Sequence, residues 1–251
     1  MKSKLMMAAA VAVALSAGVS AYAAPAPYVT AAVADKGRPE TDTKRDADRK
    51  PAEMLQFAGV KPGQTVVDFL PGGGYFTRIF AKAVGPKGVV YAVYPPPRAP
   101  ADPSKPTPTP GAVTIAADPA YANVKAVQAS PASFAVPQKA DLVWTSQNYH
   151  DLHNAKGLDL AAFNKAVYEA LKPGGVYVVL DHAAAPGADV TSTLHRIDPA
   201  VVRKEVEAAG FKFDGEDKTL ANAADDHSKA VFDPALRGHT DQFVYKFRKP
   251  K

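Results

Sequence analysis

Strand-like and helix-like segments alternate along most of this 251-residue chain, which predicts an α/β fold with a mostly parallel sheet covered by helices on both faces. Two further observations sharpen the expectation. A glycine cluster, Gly72-Gly73-Gly74, directly follows the first strand-like run and its terminal acid Asp68 and precedes a helix-like run, an order suited to gripping nucleotide-type ligands. The last two strand-like runs have no helix between them, so they are expected to pair antiparallel.

Each element has its own signal. The opening carries Lys2 and Lys4, an apolar run from Leu5 to about Val19, and Ala21-Tyr22-Ala23, which reads as a secretory signal peptide over 1–23 cut after Ala23. Residues 24–40 are rich in Ala and Pro and are expected to be flexible. A helix is predicted over 41–58, with Ala47, Met54, Leu55 and Ala58 near one face and Pro51 marking a break. Gly59 and the Lys61-Pro62-Gly63 turn close it. Then follow a strand at 65–69, a helix at 75–84 and a strand at 88–94. The prolines of 95–111 cannot join a ladder, so that stretch is a surface excursion, either a lid or a linker. Strands at 124–128 and 141–146, a helix at 158–171 closed by Lys172-Pro173-Gly174-Gly175, and a strand at 176–181 continue the alternation. Asp198-Pro199 caps a helix running through Ala208-Ala209-Gly210, after which strands within 211–220 and 242–248 flank a long loop. The prediction is a single Rossmann-like domain over 41–251: a seven-stranded, mostly parallel sheet with its last strand antiparallel.

Charge and composition remove several function classes. The formal net charge of +5 falls to +3 if Lys2 and Lys4 leave with the signal peptide, and no basic stripe interleaved with aromatics appears, so no nucleic-acid partner is expected. The chain has no cysteine, which is compatible with an oxidising compartment without requiring one. No later segment has the apolar length of a membrane helix, so no stable membrane insertion is expected after cleavage, and the protein should be periplasmic or secreted. Neither a Gly-x-Ser-x-Gly elbow nor a Walker loop nor a Cys/His zinc pattern is present. The expected partner is a small molecule at the carboxyl ends of the strands.

The densest chemistry lies just past the fourth strand, in the string Thr145-Ser146-Gln147-Asn148-Tyr149-His150-Asp151-Leu152-His153-Asn154. So polar a run suits a pocket rim better than a buried connection. Asp181-His182 at the end of the neighbouring strand, His195-Arg196, and Asp225, Asp226, His227, Arg237 and His239 of the last loop are expected around the same edge. Three readings stand. His150 is a general base, its ring oriented by Asp151 or Asp181. Alternatively, His150, His153, Asp181 and His182 offer zinc or iron ligand types, although His-x-x-His outside a helix is a weak pattern and no residue is assigned as a ligand. In the third, these groups only pin the loops together. Trp144 and Phe76 are expected in the core, while Arg78 is either solvated or paired with a carboxylate.

The strings PGGGYFTR, NYHDLHN, ALKPGG, LHRIDP and FDPALRGHTDQF resemble an exported bacterial group within the class I S-adenosylmethionine-dependent methyltransferases, over roughly residues 40–250. The resemblance implies S-adenosylmethionine as cofactor. It places Asp68, Gly72, Gly73, Gly74 and Tyr75 around that cofactor, with Leu70 standing where the family has its first glycine. Tyr94 occupies the position of the ribose-binding acid, and Ala129-Ser130 that of the adenine-facing acid. Asn148 would touch the cofactor and, with Tyr149 and His150, meet the methyl acceptor, and Tyr149, His150, Asp151 and His182 are the catalytic candidates. The other reading is a non-catalytic exported binding protein, for a small ligand or a metal, on a degenerate fold of this type.

Overall fold

The computed structural model describes residues 24–96, 102 and 104–251. The expected signal peptide and part of the proline-rich stretch lie outside the described residues. In chain order the elements are α1 (Pro27–Val33), α2 (Glu40–Thr43), α3 (Asp46–Arg49), α4 (Pro51–Ala58), β1 (Thr65–Phe69), α5 (Tyr75–Val84), β2 (Val89–Tyr94), α6 (Gly111–Ala116) and β3 (Val124–Gln128). They continue as β4 (Ala140–Ser146), α7 (Tyr149–Asn154), α8 (Leu160–Ala170), β5 (Leu171–His182), α9 (Pro199–Ala208), β6 (Lys212–Asp217) and β7 (Gln242–Arg248).

The seven strands form one sheet in the order β3-β2-β1-β4-β5-β7-β6. Strands β1 to β5 are mutually parallel, and β7 runs antiparallel to both β5 and β6. The continuous apolar runs of the central strands follow from burial on both faces. Val66 and Trp144 face one core with α1, α4 and α5, whereas Val67 and Val143 face the other with α7, α8 and α9. Trp144 is fully buried, its ring 4.7 Å from Phe76 and 5.6 Å from Phe80. Helices α8 and α9 begin where Asp159 and Asp198 accept backbone N–H bonds through their side chains.

Three local expectations are corrected. Part of the stretch expected to be flexible is helical: α1 buries Val29 and Ala32, one helical face, in the core beside α5. The helix over 41–58 breaks at Pro51 as expected, with Lys50 left-handed (φ 45°) and Pro51 opening α4, but the part before it is two short helices, α2 and α3, and not one. The rim string past β4 includes a turn-and-a-half of helix, α7, which sends its successive residues in different directions.

Strand order reverses between β1 and β4, since the chain moves outward to β2 and β3 on one side and to β5 on the other. Their carboxyl ends therefore diverge and leave a crevice. The proline-rich excursion returns onto it. Gly111, first residue of α6, sits so close to the glycine loop that a Cβ there would lie 2.5 Å from the Gly72 carbonyl oxygen and 3.1 Å from Gly73. Backbone cannot move away as a flexible side chain can. Gly111→Ala is accordingly expected to lower stability by about 1–3 kcal/mol, as overpacking does. Urea unfolding measures it; an unchanged midpoint would show that the contact is loose.

Candidate active site

A pocket of about 710 Å³ occupies the crevice. Its floor is the end of β1 and the glycine loop, with Asp68, Leu70, Gly72 and Gly73. Tyr94 and Pro95 wall it after β2, Thr107 to Ala112 cross it from the returning excursion, and Ser146, Gln147, Asn148 and Asp151 close it past β4.

The glycine loop is shaped for open space. Gly72 has φ +56°, and a Cβ added at Gly72 or Gly73 would meet nothing within 4 Å. Gly74 serves packing instead: its Cβ would lie 2.0 Å from Ile115 Cδ1 of α6, and it does not line the pocket. Leu70 is accommodated in the left-handed region (φ 53°), a conformation that costs a side-chain-bearing residue about 1–2 kcal/mol. Its N–H donates to Val93 O at 2.8 Å, and its side chain packs against the α8-side core, so the strain is held by surrounding contacts. Arg78 braces the loop, donating to Gly73 O at 2.8 Å and to Asp42 at 2.9 Å, which resolves its role as a carboxylate partner.

Asn148 joins the two sides. Its Nδ2 donates to Phe69 O and Leu70 O at 3.2 and 3.3 Å, tying the turn after β4 to the end of β1, while its Oδ1 is buried without a partner. Asp68 is buried at the pocket floor and accepts a 2.6 Å bond from the Thr77 hydroxyl. Burial pushes its carboxyl up to about 7, against the Thr77 bond and the positive charge of Arg49.

Arg49 went unrecognised in the sequence. It enters the pocket from the end of α3, donating to Ser146 Oγ at 2.9 Å and Gln147 Oε1 at 3.3 Å. Its guanidinium lies 4.4 Å from the Tyr75 ring and 4.9 Å from the Phe76 ring. Desolvation, with Arg45 nearby, lowers it to about 10, so it remains charged at neutral pH. Tyr75 lines the pocket with its hydroxyl bonded to Asp46 at 2.6 Å.

The acceptor-side candidates separate. Tyr149 does not line the pocket: its ring is fully buried, its hydroxyl donating to Glu205 at 2.9 Å and accepting from Asn164 at 2.8 Å. On α7 it shares the inward face with Leu152. His150 is buried behind the exposed, pocket-lining Asp151. Asp181 orients it, accepting from the ring Nδ1 and from the backbone N–H, both at 2.8 Å. Burial pulls the imidazole pKa down, but the bond to Asp181 and the charges of Asp181 and Asp151 outweigh it and leave it raised. His182 shares a 2.7 Å bond with Thr240 Oγ1, its ring centroid 6.0 Å from that of His150; burial lowers it to about 4 and keeps it neutral. Ser130 directly precedes the short turn at Pro131–Ser133 after β3, makes no side-chain bond to it, and is not among the residues lining the pocket.

The histidines gather only in part. His150, His182 and His195 meet, whereas His153 bonds Glu205, His227 bonds Asp241, and His239 is exposed beside Asp48. The fourfold ligand set considered from the sequence is dispersed, because Asp181 is committed to holding His150, and His153 turns toward α9.

No protein-family model matches the chain, and no curated protein matches it. Solved structures do. An S-adenosylmethionine-dependent methyltransferase from Aquifex aeolicus is similar at 17% identity and TM-score 0.56, over 85% of this chain and 99% of that one. The arsenic(III) S-adenosylmethionine methyltransferase CrArsM from Chlamydomonas reinhardtii is similar at 19% identity and TM-score 0.53, over 91% and 75%. The glycopeptide N-methyltransferase MtfA, complexed with sinefungin, is similar at 16% identity and TM-score 0.53, over 86% and 90%. The chain has the Rossmann-like fold of S-adenosylmethionine-dependent methyltransferases.

A group whose folded pKa lies above its unfolded value holds its proton longer in the native state, so stability falls as pH rises between the two. For Asp68 that window runs from about 4, the ordinary carboxylate range, to about 7. Thermal unfolding followed across it should show a loss of stability that Asp68→Asn removes, leaving the variant the more stable at pH 8. Parallel profiles for the two proteins would contradict this.

Proposed function

We infer that this chain is an S-adenosylmethionine-dependent methyltransferase acting on a small-molecule acceptor. The observation that carries the reading is the pocket at the β1–β4 divergence, floored by two glycines whose missing side chains keep it open. The fold shared with S-adenosylmethionine-dependent methyltransferases, one of them complexed with sinefungin, supports it.

The residues present fit the cofactor at most points. Gly72 and Gly73 allow close backbone approach, the orphaned Asn148 Oδ1 is an acceptor in need of a donor, and Arg49 and Arg45 supply positive charge suited to a carboxylate. Tyr94 offers a ring and one hydroxyl where the family has a ribose-binding acid, so ribose recognition rests on fewer hydrogen bonds here. When bound, S-adenosylmethionine supplies an electrophilic methyl group on its sulfonium sulfur. The protein's part is positioning and exclusion of water. Pro95, Pro96 and the 107–110 segment cover one side, and Ser146, Gln147 and Asp151 present polar groups to an acceptor on the other.

Titration calorimetry with S-adenosylmethionine and S-adenosylhomocysteine tests this. Micromolar binding is expected, weakened by 100-fold or more, about 3 kcal/mol, in Gly73→Val, whose side chain would project into the pocket without a clash to unfold the loop. Absence of binding at millimolar ligand, or an unaffected variant, would overturn the reading.

A further inference from the structure

Beside the pocket, outside the cofactor half, three ligand-type side chains converge, of which the methyl-transfer reading uses only Asp151. His150 Nε2 lies 3.4 Å from Asp151 Oδ1, and His195 Nδ1 lies 3.6 Å from the same oxygen. The three ligand atoms all fall within 4.8 Å of one another. Ligands 2.0–2.2 Å from a tetrahedral zinc are separated by about 3.3–3.6 Å, so both short distances already suit a shared ion. The third side can close by small movements, because Asp151 is exposed and His195 half-exposed.

The surroundings match a metal centre in two further respects. A metal-bound imidazole ordinarily donates its other N–H to a carboxylate, which fixes the ring. Fully buried Asp181 does this for His150 through Nδ1 at 2.8 Å and also accepts the backbone N–H bonds of His150 and His182, so Nε2 is held toward Asp151. His195 reaches its place through a left-handed backbone (φ 55°) that a residue with a side chain adopts at a cost. The exposed ring of Phe232 lies edge-on, 4.8 Å from the His195 ring, and shields it on one side.

The geometry points to a divalent transition-metal site formed by His150, Asp151 and His195, zinc(II) foremost, with its remaining position open to the pocket that Asp151 lines. Two imidazole nitrogens and one carboxylate with open coordination are the donor set of catalytic zinc and of non-haem iron(II). An ion there would bind an acceptor's oxygen, nitrogen or sulfur and favour its deprotonated form. That consequence rests on the methyl-transfer reading; occupancy by the metal does not.

The test uses the whole protein, stripped with chelator and dialysed against zinc(II), with metal counted by atomic emission and geometry followed by the visible spectrum of the cobalt(II) form. About one zinc per chain is expected. Asp151→Asn and His195→Asn should each weaken zinc binding by more than the roughly 10–100-fold typical of losing an outer-shell partner. Both keep the fold testable: Asp151 is exposed, and asparagine tolerates the left-handed backbone at 195. Wild-type protein without stoichiometric zinc, or zinc held equally well by both variants, would overturn the assignment. S-adenosylhomocysteine titrated into the metal-free wild type reads the cofactor half separately, so either conclusion can fail alone.

Discussion

The site depends on the Asn148 side chain, which spans the point where the sheet changes direction. Parallel strands diverging from a switch point leave a crevice, but nothing in that topology fixes its width. By donating to the carbonyls of Phe69 and Leu70, Asn148 sets the distance between the turn after β4 and the turn after β1. The same bonds help hold Leu70 at φ 53°, and Leu70 in turn starts the bend that lays Gly72 and Gly73 along the pocket floor. A glycine at 70 would reach this backbone without strain; here the surrounding contacts enforce it.

The fold was legible because both of its signals are physical and local. Val66-Val67 and Val143-Trp144 put neighbouring side chains into opposite cores, which forces an apolar run of the kind a covered parallel strand needs. The absence of a helical segment between β6 and β7 left antiparallel pairing as the simple outcome, and the structure has it. Legibility failed where composition stood in for periodicity. The Ala- and Pro-rich stretch before residue 40 reads as loose, yet α1 is seated by Val29 and Ala32, three residues apart, in the core and by the Tyr28 hydroxyl donating to Val60 O.

For the site, strand-end positions were readable and helix faces were not. Asp68 and Tyr94 lie at the carboxyl ends of strands of known direction, Gly72 and Asn148 just past such ends, and all four line the pocket. Within α7 the polar string gave no clue that Tyr149 points inward to Glu205 and Asn164 while Asp151 points out. Arg49 was hidden for a different reason. It ends a single helical turn, and its contacts with Tyr75, Phe76, Ser146 and Gln147 lie far along the chain, where no local pattern signals them.

The central claim is that one crevice, bounded by the glycine loop and the turn after β4, takes the cofactor. Hydrogen-exchange mass spectrometry with and without S-adenosylhomocysteine tests it most directly. Slowed exchange confined to peptides covering 70–76, 94–96, 107–112 and 146–151 is the predicted result. Unchanged exchange there at saturating ligand, or protection confined to the opposite end of the strands, would contradict it.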